Sequence, residues 1–484
     1  MSSKSLSKNA IFNIIYRLLN VVFPLLSYAY VARVLLSDGV GVASAVQTNV
    51  SYFIILATLG IPAYGLREIA KVRDDFSKRN TLTTELLILN SFLTLFSIVC
   101  FLISIFLIPH FSSNRILYLV YGVAIVLNFI NVDWLYQGME EYSYIAIRST
   151  IVKILSLLFT ILFVKSKNDI LVFALISVVA ISGNNIFNII HSRHLFKPCF
   201  KNVNLRRHIK PLLFLALCSI STELYARMDI TMLDYMSTSY NVGYYTYAHR
   251  IILLIVTTLV AVTSVFLPRL SNLFENNRDE FNALLKKGSQ LMIFISIPAC
   301  VGIFILAEPL TLLLLGNDFY GSIDCLKVLS FMIPLKCIGD IVCYQVMLCA
   351  RRESTLMKSY FLIMVVNFLC NYLLIPIYGA VGASIASVLS EILAFIFVYF
   401  FSKKYLKNAL NLKAFVGTTI SSFIMGILVF KFSRIVIPRT LLLVFCVLVG
   451  IIIYLFANAI LGNPAFLELN AQIKRYFSRK RNNS

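Results

Sequence analysis

The chain has 484 residues, of which 59% are apolar and only 13% charged, with a mean hydropathy of +0.84. Soluble chains are about a quarter charged, and so little charge cannot cover the surface of a water-soluble protein this long. The composition defines a polytopic membrane protein and excludes disorder, a coiled coil and a secreted disulfide scaffold. Formal net charge is +21, from 43 Lys and Arg against 22 Asp and Glu. No nucleic-acid partner is implied, because the basic residues gather in short segments between apolar runs and no soluble domain is present to hold a duplex. The ten Cys lie mostly inside apolar runs, with Cys199 in a charged loop, and no CxxC pair occurs. They read as small packed thiols, and no metal site is expected.

A membrane-crossing helix needs about 20 residues. Fourteen segments qualify: 10–36, 42–63, 84–109, 116–135, 145–164, 169–190, 210–233, 242–267, 288–310, 323–349, 359–376, 379–401, 412–430 and 436–460. The first follows no small-residue cleavage site, so it is expected to be a retained helix instead of a signal peptide. The eleventh and twelfth are separated by the proline and glycines of IPIYGAVG. With the amino terminus placed in the cytoplasm, Lys and Arg at the helix ends and loops favour the cytoplasmic side about fivefold. Both termini are then cytoplasmic. The last external segment, with Lys431, Arg434 and Arg439, is the most basic of the external ones.

The longest loop, HSRHLFKPCFKNVNLRRHI at about 191–209, separates six helices from the rest, and FSKKYLKNALNLK near 401–413 makes a second break. The expected organisation is an amino-terminal lobe at 1–200, a second six-helix lobe at 201–403, and two further helices with a basic tail at 404–484. Six helices per lobe make the halves parallel repeats. SDGVGVASAV at Ser37–Val46 and SYNVGYYTYA at Ser239–Ala248 are a short internal likeness, each beside the first helix of its half.

Ionisable residues inside a bilayer are costly and mark cavities or partners. They are Arg17, Arg33, Lys153, Glu223, Arg227, Asp229, Arg250, Lys336 and Asp340, with Asp133 and Glu391 nearer helix ends. Glu223 with Arg227, and Lys336 with Asp340, have the spacing of helical pairs. Arg33 is near enough to the outer end to reach headgroups. Asp133 and Trp134 read as an interfacial anchor. The surplus of cations among Arg17, Arg33, Lys153, Arg227 and Arg250 suits an anionic ligand, and phosphate is the natural match for guanidinium. Glu223, Asp229 and Asp340 are candidates for exchanging H+ or Na+. Pro24, Pro298, Pro309 and Pro334 are read as helix breaks. No P-loop, HExxH motif or extramembrane catalytic segment is present, so a carrier is expected, with no catalytic residue and no cofactor.

Three segments carry a family resemblance. These are YVARVLLSDGVGVASAVQTNVSYFIILATLGIPAYGLREIAKVRDD at Tyr30–Asp75, WLYQGMEEYSYIAIRS at Trp134–Ser149 and IPIYGAVGASIASVLSE at Ile375–Glu391. The chain resembles the bacterial polysaccharide repeat-unit flippases, which share a superfamily with multidrug and toxic-compound extrusion transporters and lipid II flippases. The resemblance implies an all-α protein of about 14 transmembrane helices in two six-helix lobes around a cavity lined by helices one, two, seven and eight. It implies an undecaprenyl-pyrophosphate-linked oligosaccharide as cargo and roles for Arg17, Arg227 and Arg250 in a cationic cavity, with Lys153 less central. It implies a location in the bacterial inner or plasma membrane, in capsule or O-antigen synthesis, beside a polysaccharide polymerase and a chain-length regulator. A multidrug antiporter of the same fold, a membrane polymerase and a non-transporting scaffold remain open at this point.

Overall fold

The computed structural model describes the chain apart from residues 1–2, 202, 407–409, 436 and 472–484, and apart from the side chains of residues 3–22, 24, 217–219 and 221. Arg17, Pro24, Cys218 and most of the basic tail therefore lie outside the described residues or side chains. The described chain is helical throughout. Its helices in order are α1 (Ser3–Thr58), α2 (Ile61–Val72), α3 (Phe76–Leu107), α4 (Pro109–Ser112), α5 (Arg115–Val126), α6 (Asp133–Gly138), α7 (Tyr142–Phe163), α8 (Ile170–Ser182), α9 (Asn184–His191) and α10 (Arg206–Met236). Then follow α11 (Ser239–Thr263), α12 (Leu267–Asn276), α13 (Arg278–Leu314), α14 (Ser322–Leu329), α15 (Met332–Gly339), α16 (Val346–Cys349), α17 (Glu353–Ser402), α18 (Leu412–Phe432) and α19 (Arg439–Ile460). The chain divides into two compact units, Met1–Gly243 and Tyr244–Ser484.

Nine stretches of the described residues are long and apolar enough to cross a membrane, fewer than the fourteen segments read from the sequence. The difference has a local origin. Leu25–Val72, Ser239–Asn276 and Glu353–Tyr405 each exceed one crossing in length. Within two of them the helix breaks, at Leu36 with φ 61° and at Gly379 with φ 54°. Arg115–Ile130 is short, α14 to α16 are interrupted, and α10 carries seven Lys, Arg, Asp or Glu residues.

In the first unit α1 packs on α3, α5, α7 and α10. Trp134 is only 1% exposed, and a Cβ on Gly65 of α2 would come within 2.7 Å of its indole. This corrects the reading of Asp133 and Trp134 as an interfacial anchor. The ring is a core residue between α2 and α6, and Asp133 instead accepts a hydrogen bond from Arg148 of α7 at 3.0 Å. The first turns of α3 tie down the chain that leads to α10. Lys197 N–H donates to Asn80 Oδ1 at 2.8 Å, Cys199 N–H to Thr84 Oγ1 at 2.9 Å, and Asn204 N–H to Glu85 Oε1 at 2.6 Å. Glu85 is fully buried and also meets Arg207 and the Nε2 of His208, the latter at 2.9 Å.

The likeness between Ser37–Val46 and Ser239–Ala248 has a spatial counterpart. A Cβ on Gly41 would lie 1.8 Å from the carbonyl oxygen of Ser239, and one on Gly243 would lie 2.2 Å from that of Ser37. The contact is reciprocal, each glycine lying four residues after the serine of its own segment. Asp38 accepts a hydrogen bond from the Ser239 hydroxyl beside the crossing. Only glycine lets two backbones approach so closely. Gly243→Val is expected to lower stability by about 1–3 kcal/mol through overpacking, read as a fall in Tm of the detergent-purified protein; an unchanged Tm would mean the two segments separate freely.

In the second unit α13 packs on α15, α18 and α19, and α14 on α17. Pro298 and Pro309 do not break α13, contrary to expectation, because the helix runs through both. Proline at 298 cannot donate to the carbonyl of Phe294. That carbonyl accepts the Tyr454 hydroxyl of α19 at 2.6 Å instead, so the orphaned acceptor is satisfied by a neighbouring helix. The described thiols are free, and six of them are buried.

Candidate functional site

The polar residues of α10 form a stripe. Glu223, Arg227, Thr231 and Asp234 recur at three- and four-residue intervals and share one helix face. The second half of α1 offers Asn49 and Tyr52 to that stripe. Asn49 Nδ2 donates to Asp234 Oδ2 at 3.0 Å and to the Tyr118 hydroxyl at 2.9 Å. The Tyr52 hydroxyl meets Thr231 Oγ1 at 2.8 Å. His110 Nε2 closes the same end, 2.8 Å from Asp234, with Tyr235 stacked on its imidazole at 4.3 Å.

Exposure rises along the seam. The Asp234 side chain is 15% exposed, whereas Arg227 and Glu223 are 38% and 42% exposed and pair at 2.8 Å. Charges that faced lipid tails at this depth would cost several kcal/mol. The seam is closed by the hydrogen bonds to Thr231 and Asp234 and by the Asp–His contact at one end, and is more exposed at the other. The pair with Glu223 engages Nε of Arg227, and a guanidinium carries five N–H donors in a fork that fits phosphate oxygens. Arg227, Asp229 and Glu223 all lie within electrostatic reach of Tyr52.

The structure brings Glu223, Arg227 and Asp229 together on one helix, Asp229 being buried. Arg33 is exposed on α1 just before the break at Leu36, and Lys153 is half-buried on α7. Neither lies on the α10 stripe. Arg17 lies outside the described side chains. In the second unit, half-buried Arg250 stands over the Tyr247 ring at 5.5 Å. Asp340 opens a π-helical turn, Asp340–Gln345, and accepts hydrogen bonds from Gln345 Nε2 at 2.7 Å and Thr263 Oγ1 at 3.3 Å. Lys336 is not its partner, against the helical-pair reading. Lys336 forms its ion pair with Glu391 of α17, because that packed neighbouring helix presents a carboxylate within reach of its ammonium.

Asn49, Tyr52, Thr231, Asp234 and His110 were not singled out from the sequence. Asn49 and Tyr52 had a usable signal, as polar residues three apart inside an apolar run. His110 and Asp234 had none, because they stand at the ends of different helices and meet only in the folded unit.

The helix order and break pattern define an all-α polytopic membrane protein of the transporter fold seen in a lipid II flippase in an inward closed conformation. That structure aligns with a TM-score of 0.76 at 16% identity, over 93% of this chain and 98% of its own. An inward-facing multidrug resistance transporter of the multidrug and toxic-compound extrusion family aligns with a TM-score of 0.59 at 14% identity, over 81% and 98%. Residues 6–274 match the polysaccharide biosynthesis protein family, and the chain belongs to that family. A curated relative from Escherichia coli K12, named "Putative O-antigen transporter", is 22% identical over 395 residues, spanning 80% of this chain and 94% of its own length.

Proposed function

We propose that this protein is a flippase that moves an undecaprenyl-pyrophosphate-linked oligosaccharide repeat unit from the cytoplasmic to the outer leaflet, for capsule, O-antigen or a related surface polysaccharide. It acts as a transporter and makes or breaks no covalent bond. The observation that carries the reading is the part-exposed Arg227 at the more exposed end of the α1–α10 seam. A pyrophosphate needs such a donor, and a carrier of organic cations would do better with carboxylates or an aromatic cage. The basic loops support an orientation with both termini cytoplasmic.

Fourteen crossings follow if the helices that break at Leu36 and Gly379 each count twice, and if α10, α5 and the α14–α16 series each count once. Two lobes at 1–200 and 201–403, with the last two helices at 404–484, fit the reciprocal crossing of Ser37–Gly41 with Ser239–Gly243. In the cycle, Arg17 and Lys153 receive the headgroup on the cytoplasmic side, Arg227 and Arg250 pass it outward, and Arg33 is a further substrate-binding cation near the outer end. Glu223, Asp229 and Asp340 are the places for a coupling H+ or Na+. The polymerase and chain-length regulator are the partners this chemistry requires downstream.

The test is sided exposure of the lipid-linked glycan in proteoliposomes that contain only this protein. Protein-dependent appearance in the far leaflet is expected. Transport of organic cations with no movement of a matched glycan would replace this reading with a drug antiporter.

A further inference from the structure

Lys431, Arg434 and Arg439 make the last external segment the exception to the charge bias of the chain, and the flippase seam has no use for them. Two of the three line a groove of about 600 Å³ between α13, α18 and the start of α15. Along α18 the lining positions are Phe423, Gly426, Ile427, Phe430 and Lys431, with Arg434 in the turn beyond. Their three- and four-residue spacing puts them on one face. That face is apolar over its length and cationic at its end. Phe304 of α13 and Phe331, one residue before α15, pack edge to face at 6.0 Å on the opposite wall.

Two features show a shaped groove instead of generic lipid-facing surface. At Gly426 a Cβ would lie 2.8 Å from Val301 of α13, so the missing side chain lets the two helices close up as a floor. At the mouth, Arg434 lies over the Phe430 ring at 4.5 Å, which holds its guanidinium above the apolar trough. The volume falls in the range of small-molecule sites and suits a single hydrocarbon chain. A trough of hydrocarbon width under two cations is complementary to a hydrocarbon chain that ends in a phosphate.

We propose that this groove is a binding site for one anionic phospholipid of the bilayer, with an acyl chain along Phe423–Phe430 and the phosphate on Lys431 and Arg434. Assignment to the outer leaflet rests on the orientation proposed above. Its lining comes from α13, α18, Phe331 before α15 and Arg434 beyond α18, and includes none of the residues assigned above to transport. It explains why cations are tolerated on the side of the membrane that otherwise has few of them.

The test is native mass spectrometry of the purified full chain, titrated with phosphatidylglycerol and with phosphatidylcholine of the same chains. Phosphatidylglycerol is expected to be retained in preference. The double variant Lys431→Gln, Arg434→Gln is expected to lose about twenty-five-fold in affinity for it, since each basic residue near an anionic headgroup contributes a factor of about five. Phosphatidylcholine binding should not change. The charge-conserving pair Lys431→Arg, Arg434→Lys should retain the lipid, and Val301→Trp, which fills the trough, should lose both lipids. Equal retention of the two lipids by the parent protein, or full phosphatidylglycerol binding by the double Gln variant, would overturn the site. Because no transport is measured, the binding result stands or falls separately from the flippase reading. Ser433→Cys labelled by an impermeant maleimide on intact cells, above the parent background, supports the outer leaflet. Labelling only after permeabilisation would overturn that assignment.

Discussion

Arg227→Ala is expected to cut outer-leaflet delivery of the lipid-linked glycan by about tenfold or more, because a hydrogen bond to a charged group is worth about 1.5–3 kcal/mol. Membrane insertion and Tm should barely change. The Arg227–Glu223 pair is about two-fifths exposed, and pairs of that kind contribute about 0–1 kcal/mol. Glu223→Gln separates a headgroup role from a pairing role. If Arg227 serves the phosphate and ion coupling rests on Asp229 or Asp340, removal of its carboxylate partner should leave delivery intact or raise it. If Arg227 serves only to neutralise Glu223, the two variants should fail alike. Arg227→Lys should recover part of the activity, since an ammonium keeps the charge and loses the fork. The readout is initial rate in proteoliposomes at matched protein density, and full delivery by Arg227→Ala would remove the residue from the mechanism.

Glu85→Ala is expected to cause the largest loss of stability, about 2–3 kcal/mol, because the buried carboxylate's donors lose their acceptor while Arg207, 51% exposed, can turn to water. Glu85 is fully buried and holds Asn204 N–H, Arg207 and His208 at once, while Tyr64 meets the other nitrogen of the His208 ring at 2.8 Å. Its loss frees the chain before α10 from α3 and leaves His208, itself 2% exposed, without its carboxylate. Domains have only about 5–15 kcal/mol to lose, so the variant should show a sharply lower Tm and reduced abundance in the membrane. Glu85→Gln should be milder, because an amide oxygen can still accept from the Asn204 N–H. A Tm equal to that of the parent protein would show that the inter-helix loop is held elsewhere.

The contrast between these two residues illustrates how much of the site can be read from the linear chain. Arg227 stands out in sequence because an arginine in a membrane segment is expensive wherever it sits. Glu85 stands inside the third apolar segment, and its own neighbours do not reveal that a loop and the first turn of α10, more than 100 residues later, will supply its three partners. Lys336 shows the same limit in the opposite direction. Asp340, four residues on, is the expected partner by helical spacing, yet the ion pair goes to Glu391. Trp134 misleads for a related reason, since an aromatic ring at the end of an apolar run looks interfacial until α2 closes over it.

What the sequence by itself determined is the membrane class and the helical character. Those depend on composition and local periodicity, and hydrocarbon leaves helices and closed barrels as the only spanning structures. The matching segments at Ser37 and Ser239 were also visible there. Tertiary structure decided which polar groups on different helices meet, whereas the Glu223–Arg227 pair followed from helical spacing. Asn49 with Asp234, Tyr52 with Thr231 and Asp234 with His110 join residues about 120 to 190 positions apart, and such pairings follow from helix packing. A carboxylate or hydroxyl inside a bilayer must find some partner, and local sequence carries that requirement without naming the partner.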